Sequence, residues 1–358
     1  MNHKLKASQL KTKNSSSGTR ATIRDLAREA GVAIGTASRV INGHKSVSEE
    51  ARKRVLRAVK KLAYEPDRAA QSMRLRTTHT VACVTRDIAI SGFGTVVHAA
   101  EDVLRDAGYI LIFAGTDERK ERELELLRIL SRRRVDGIII ATSSEEDKEL
   151  NRHLLRLEIP LVLLDRDSPA DIDAVMIDHR RGTKLATEHL LGYGHTEIAL
   201  LTGFEATRPG RERIAGFKEA MEVAGNRSPL IVRGGFSSEF GFRETSSLLN
   251  VRNRPTAIIA GGMSTFSGVL QAIRARGLQV PRDVSVVAGA DTELAALATP
   301  SITAVRWSGV DEGRIAVQLL LNRLRGNRTG PAQRVLLSTE LIKRESSGPV
   351  PVKVAAAG

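Results

Sequence analysis

The chain has 358 residues, a mass of 38.9 kDa and a pI near 10.3, long enough for two or three domains of about 100–200 residues each. A hydrophobic fraction of 41% supports a sizeable core and excludes a wholly disordered chain. No apolar run approaches the roughly 18 residues of a membrane span, and a single cysteine, Cys83, excludes a disulfide framework and zinc-finger spacing. Charge is concentrated: residues 1–76 hold 18 Lys+Arg against 6 Asp+Glu, a net +12 of the +14 total. A local basic field of this kind attracts a polyanion or an anionic membrane, unless it is simply a solvated face. The basic N-terminus lacks the apolar stretch of a signal peptide, so a soluble protein of the cytoplasm is expected.

In chain order, residues 1–19 are rich in Lys, Ser, Asn and Gly without an apolar period and read as a disordered basic arm. Thr22 with Asp25 forms an N-terminal helix signal, and Ile23, Leu26, Ala27 and Ala30 make one apolar stripe that Gly31 stops. A second helix is expected near 34–41, with Ala37, Val40 and Ile41 inward, ending at Asn42-Gly43. Ser48 caps a third over 49–63, with Val55, Leu56, Val59 and Leu62 at helical spacing. Two short helices joined by a tight glycine turn make a helix-turn-helix, whose second helix enters the major groove. Arg52, Lys53, Arg54, Arg57, Lys60 and Lys61 on the third helix suit solvent or phosphate.

The stretch TIRDLAREAGVAIGTASRVINGHKSVSEEARKRVLRAVKKLAYEPDRAAQSMR resembles the headpiece of the lactose/galactose-repressor (LacI) family. Thr22, Asp25, Ala27, Ala30, Gly31, Val32, Thr36, Ser38, Arg39, Val40, Asn42, Val47, Ser48, Arg52, Val55, Leu62, Tyr64 and Pro66 stand in its register. The resemblance implies a double-stranded DNA operator as partner, with Thr22, Ile34, Gly35, Thr36, Ser38, Arg39 and Asn42 facing it. Arg39 would read bases and Asn42 contact phosphate. Ala33 departs from the family's Ser or Thr, and removes a side-chain cap at a cost of about 1 kcal/mol. Ile34 and Gly35 stand at the family's base-reading positions, yet neither forms a bidentate hydrogen bond. Ile34 suits a thymine methyl and Gly35 a close backbone approach; core packing is the alternative for Ile34. Residues 67–78 resemble the family's hinge helix. Met73 stands where an apolar side chain wedges into the minor groove, with Arg68 and Ala69 also among the DNA-facing positions. The alternative is an ordinary linker with Met73 buried.

After Thr80 apolar strands alternate with amphipathic helices. Strands are expected at 80–85, 109–115, 137–141, 161–165, 174–177, 198–203, 257–261, 284–290 and 302–305, and helices at 96–105, 121–131, 184–191, 211–224, 240–250 and 266–275. Continuous apolar strands between helices imply parallel sheets covered on both faces, and this many strands suggests two lobes. The fold class is therefore α/β: a small all-α headpiece plus a two-lobed, doubly wound effector domain. This portion is also similar to the family's effector domain, itself similar to periplasmic sugar-binding proteins. The expected order is arm 1–19, headpiece 20–66, hinge 67–78, effector-binding and dimerisation domain 79–345, and disordered tail 346–358. Lobe one would take about 79–177 and 308–335, and lobe two 178–307 and 336–345.

Ligands in such folds sit at the carboxyl ends of the strands, between the lobes. By resemblance, Asp165, Arg213 and Asp291 are effector-binding. The family's Asn-Asp is Gly261-Gly262 here, its Gly-aromatic-Asp-Asp is 288–291, AGAD, and its Gln is Trp307. Hydroxyl-binding groups are thus missing. The pocket is expected to be roomier at Gly261 and Ala290 and more apolar at Trp307, with Phe93 and Phe236 as stacking walls. Arg208 and Arg211 near Arg213 would add positive charge, favouring an acidic effector such as a sugar acid or sugar phosphate. The alternative for a strand-end Asp is a loop cap. The implied protein is a homodimeric repressor of a pseudo-palindromic operator, controlled by a small sugar-like metabolite. No nucleotide, protease or hydrolase motif is present, and the eight histidines show no metal spacing, so no enzyme, cofactor or metal is expected. An intracellular sugar-binding protein without gene control is the alternative.

Overall fold

The computed structural model describes residues 21–44, 46–64, 77–87, 93–117, 119–167, 172–226, 228–326 and 330–351. The chain divides into two compact units, Met1–Thr78 and His79–Gly358. The expected arm over 1–19 and the hinge positions Arg68, Ala69 and Met73 lie outside the described residues.

The first unit holds helices α1 (Ile23–Ala30), α2 (Ile34–Ile41) and α3 (Glu49–Leu62). Thr22 and Asp25 form a reciprocal capping box on α1, and Gly31 ends it with φ +60°, where a Cβ would be strained. Leu26, Ala27, Ala30, Ala37, Val40, Val55, Ala58 and Tyr64 form the core. Leu56 departs from expectation: it is 49% exposed. The inward face of α3 runs through Ala51, Val55 and Ala58, and Leu56 lies one residue, about 100°, off that face.

The second unit contains β1 (Thr80–Thr85), α4 (Phe93–Asp106), β2 (Ile110–Gly115), α5 (Lys120–Arg132), β3 (Gly137–Ile140), α6 (Lys148–Arg156), β4 (Leu161–Leu164), β5 (Asp173–Ile177), α7 (His179–Gly192) and β6 (Ile198–Gly203). It continues with α8 (Arg208–Val223), β7 (Leu230–Gly234), α9 (Ser238–Leu248), β8 (Ala257–Ala260), α10 (Thr265–Ala275), β9 (Ser285–Ala288), α11 (Glu293–Leu297), β10 (Thr303–Arg306), α12 (Gly309–Leu324), β11 (Arg334–Leu337) and β12 (Glu340–Ile342).

These build two six-stranded sheets. Lobe one has the order β11-β5-β4-β3-β1-β2, all parallel. Lobe two has β12-β10-β9-β8-β6-β7, parallel except for the β12 edge. The chain passes between them three times, after β5, after β10 and after β11.

Alternate residues of each strand feed two cores. In lobe one, Val81, Cys83 and Val175 pack against α4 and α12, while Ala82, Val84 and Ile138 pack against α5 and α6. In lobe two, Leu201, Ile258 and Val286 face α9 and α10, while Leu200, Ile259 and Val287 face α7 and α8. Because the strands are parallel, their carboxyl ends share one edge in each lobe. Among the described residues no helix is long and apolar enough to cross a membrane.

The tail expected to be disordered from 346 is instead part of lobe two as far as the described residues reach. Ser346 is buried; its hydroxyl accepts from Thr303 N at 2.8 Å and donates to Val286 O at 2.6 Å. Its carbonyl accepts from Val286 N of β9 at 2.9 Å. Hydrogen bonding anchors this segment, and hydroxyl side chains carry no apolar period that would show it in the sequence.

Candidate DNA interface and effector cleft

On the headpiece, α2 turns an uncapped N-terminus outward: Ala33 offers no side-chain hydrogen bond. Ile34 is 48% exposed, so it is not core. Gly35 has open space where a Cβ would stand. Thr36 and Ser38 are half-buried, while Arg39 and Asn42 are exposed. Asn42 Nδ2 donates to Ser38 Oγ at 3.3 Å, fixing two of these polar groups against each other. Thr22 differs from the rest: its hydroxyl donates to Asp25 Oδ2 at 2.7 Å and caps α1.

In the second unit, Asp165 and Phe236 beyond strand ends gather with Arg213 of α8 into one cluster, in which Arg213 is buried and the other two are half-buried. Asp165 follows β4 with φ +51°, an uncommon conformation for a residue other than glycine. Its Oδ1 accepts from Ile177 N at 3.2 Å, and its Oδ2 lies 2.7 Å from His179 Nε2, which therefore carries the proton. The carboxylate thus ties β4 to the first crossing between the lobes. Burial alone would raise its pKa, but His179, Arg166 and Arg213 hold it down at about 2. His179 is pushed down by burial and by Arg213, against the pull of Asp165, so the pair is an ionised carboxylate beside a neutral imidazole.

Arg213 comes from the first turns of α8 and is 6% exposed. Among the described residues its guanidinium makes no hydrogen bond and no ion pair within 4 Å. It lies 5.6 Å from the centroid of Phe236, whose ring Arg86 approaches at 4.9 Å. Burial, Arg86 and Arg166 push its pKa down to about 10, with Asp165 opposing. It remains a cation at neutral pH, buried without a bonded anion, which is costly.

Arg208 and Arg211 do not add free charge. Arg208 Nη1 donates to Asp167 at 3.1 Å, Arg211 Nη2 donates to Asp167 at 2.9 Å and to Glu145, and Glu145 also accepts Arg208 N at 2.6 Å. These pairs clip lobe one to α8.

The remaining candidates separate. Asp291, Ala290 and Trp307 line a cavity of about 530 Å³, together with Val96 and Met263. Asp291 is held by Arg306 Nε at 2.8 Å and Arg344 Nη2 at 3.0 Å; burial raises its pKa, and the two arginines outweigh this to leave it low. Trp307 sets its edge on His179 at 5.7 Å and donates Nε1–H to Glu312 Oε2 at 3.2 Å.

Two expectations fail. Phe93 is 9% exposed and belongs to the lobe-one core with Val81 and Leu104, because the first turn of α4 points inward; it is no stacking wall. Gly261 opens no room: a Cβ there would meet Leu201 O at 2.8 Å and Thr202 Oγ1 at 3.0 Å. Phe236 fills the space over its neighbour, where a Cβ on Gly262 would meet the Phe236 ring at 2.7 Å.

Sequence reasoning missed Glu312. Burial and the Asp165 charge push its carboxyl up to about 8 against the Trp307 hydrogen bond, so it is mostly neutral at pH 7. A signal existed: Glu312 interrupts the stripe Gly313, Ala316, Val317 and Leu320 on α12. Among the described residues no group of three or more His, Cys, Asp or Glu could hold a metal ion.

A helix-turn-helix unit followed by a two-lobed α/β unit with a charged cleft is the build of a ligand-responsive DNA-binding regulator. Residues 22–67 match the bacterial regulatory proteins, lacI family, and residues 187–347 match the periplasmic binding protein-like domain. The HTH-type transcriptional regulator DegA of Bacillus subtilis (strain 168) is 34% identical over 334 residues, 92% of this chain and 98% of its own. The ribose operon repressor of Halalkalibacterium halodurans is 32% identical, spanning 91% and 97%. The lac repressor dimer bound to operator and the anti-inducer ONPF superposes with a TM-score of 0.82 at 29% identity, covering 92% of this chain and all of that one. The chain belongs to the lacI family of bacterial regulatory proteins. It is a DNA-binding transcriptional regulator, as its named relatives are, and not an enzyme.

Proposed function

We propose that the protein is a homodimeric repressor of a pseudo-palindromic operator whose DNA affinity is set by a small acidic metabolite bound between the lobes. One short recognition helix reads few base pairs, so two half-sites on a two-fold protein suit the headpiece. On the DNA side, Ile34, Gly35, Thr36, Ser38 and Arg39 face base edges, and Asn42 with Thr22 faces the backbone. Arg68, Ala69 and Met73 supply the hinge contacts to the minor groove.

The acidic effector rests on Arg213, a buried cation without a bonded anion. A carboxylate or phosphate would satisfy it, whereas a neutral sugar would leave the charge uncompensated. Solved relatives hold cellobiose and ribose; this chain carries Gly261-Gly262, Ala290 and Trp307 where the family resemblance implies hydroxyl-binding side chains. The test is titration calorimetry with glucose, gluconate, glucuronate and glucose 6-phosphate, alongside gel shifts on DNA flanking the gene. Acids should bind and change the shift, and Arg213→Gln should lose both effects. Binding of glucose alone refutes the acidic effector. Absence of any sequence-preferring shift favours a sugar-binding protein without gene control.

A further inference from the structure

We propose that Glu145, Asp167, Arg208 and Arg211 form an electrostatic latch that holds the two lobes together on the side of the cleft away from the crossings. Ionic strength then sets how readily the cleft opens, whatever ligand it takes. Glu145 follows β3 and Asp167 follows β4 in lobe one, while Arg208 and Arg211 open α8 in lobe two. The Arg208 amide donates to Glu145 Oε1 at 2.6 Å, and its Nη1 donates to Asp167 Oδ1 at 3.1 Å. Arg211 Nη2 donates to Glu145 and, at 2.9 Å, to Asp167 Oδ2. Glu145 N donates to Ala206 O at 3.1 Å. Each carboxylate therefore serves both arginine residues. The members are also steadied within their own lobes: Asn151 Nδ2 donates to Glu145 O at 2.8 Å, and Arg211 Nη1 donates to Glu205 O at 2.9 Å. Groups held in place beforehand lose less freedom when the lobes meet.

The sheet orders give these bonds leverage. The crossings leave β5 and β11 in lobe one and join β10 and β12 in lobe two, whereas β3 stands three places from β11 and β6 three places from β10. At the usual spacing between strands, the latch lies roughly 14 Å from the crossings. A hinge rotation of about 10° there parts the loops by roughly 2–3 Å, enough to break hydrogen bonds. The cavity of about 530 Å³ has walls from both lobes, includes Trp307 and Gly309 of the second crossing, and has no latch residue in its lining. Burial divides the latch in two. The Glu145 and Arg208 side chains are 6% and 13% exposed, so these charges act in a medium less polar than water. Asp167 and Arg211 are 40% and 31% exposed, so dissolved ions reach them and weaken their pairing.

Two measurements on the full-length protein test the latch without any ligand. Hydrogen exchange of residues 141–147 and 204–212 reads the latch itself. Acrylamide quenching of Trp307, the one tryptophan of the chain, reads the cavity on the far side from it. In the native protein, raising salt from about 50 to 500 mM should speed the exchange and raise the quenching constant together. Glu145→Gln combined with Asp167→Asn should exchange about tenfold faster at low salt, the scale of one charge-assisted hydrogen bond. Its Trp307 should be quenched more strongly, and neither reading should respond further to salt. Arg208→Gln combined with Arg211→Gln removes the other half and should give the same two changes, with melting curves confirming that each variant is folded. Faster exchange with unchanged quenching makes these local loop bonds and overturns the latch. Native readings that ignore salt, or variants that match the native protein, overturn it too.

Discussion

Glu312 shows how one residue can carry a measurable linkage. Its carboxyl sits at about 8 in the fold against an ordinary 4.5, so the folded chain keeps a proton that the unfolded chain has lost across that window. Stability therefore falls as pH rises from 4.5 to about 8 and levels off above. Glu312→Gln should be nearly neutral at pH 5 and stabilising by about 2–4 kcal/mol at pH 8, read from denaturant or thermal unfolding at the two pH values. A pH-independent difference would place the carboxyl outside this linkage. On α2, Ile34 is apolar, half-exposed and outside the headpiece core. If it packs on a thymine methyl, replacing that thymine by deoxyuridine should cost about 1 kcal/mol of operator binding, and Ile34→Ala should erase the difference. Strand ends and the sequence around the α8 start single out Arg213 and Asp165, and the structure brings these two near each other. Gly261 and Phe93 were misread because side-chain volume and helix phase inside a packed lobe are not visible in a linear pattern.

Among the elements, the central strands were plain in the sequence, since both of their faces are buried and each reads as an unbroken apolar run. Leu161–Leu164 and Ala257–Ala260 are buried throughout. The strands that escaped are β7, β11 and β12, all at sheet edges. Arg233 and Arg334 are exposed on two of them, and β12 has three residues, too few to set a period. Helix starts were read late for the same kind of reason: α7 opens with His-Arg-Arg and α8 with Arg-Pro-Gly, polar first turns ahead of the apolar stripe. The C-terminal segment left no apolar trace, yet it fastens lobe two through His195, whose Nε2 lies 2.9 Å from Gly348 O and whose Nδ1 lies 2.9 Å from Thr256 Oγ1. Ending the chain after Glu345 should strip the Gly348 bond and those of the Ser346 hydroxyl and lower stability by about 2–4 kcal/mol, measured by thermal unfolding. Burial pushes the His195 pKa below its usual 6.5, against the Gly348 carbonyl. The unfolded chain then binds a proton that the fold resists, so this contribution is present above about pH 6.5 and is lost as pH falls below it. Between pH 7.5 and 5.5 the melting temperature should fall further for the native sequence than for His195→Asn.

At the scale of the whole molecule, the charge asymmetry and the cleft assign separable quantities to the two units. Affinity that comes from Lys and Arg on phosphates falls linearly with the logarithm of salt, with a slope set by the number of phosphates neutralised. Those cations lie in the first 76 residues, which carry +12 of the net +14, so the slope should be a property of the headpiece and hinge. Control by a metabolite is instead a coupling free energy between sites, and it is reciprocal: if an acid changes operator affinity by some factor, operator DNA changes acid affinity by that same factor. Arg213 lies in the second unit. Arg213→Gln should therefore leave the slope of log K against log salt unchanged on nonspecific duplex, while the response of operator binding to acid disappears. Fluorescence anisotropy on operator and random duplexes, at several salt concentrations with and without gluconate, glucuronate or glucose 6-phosphate, separates the two. A changed slope in the variant would mean that the guanidinium acts on DNA binding directly rather than through the lobes. An unchanged acid response would remove Arg213 from the effector site.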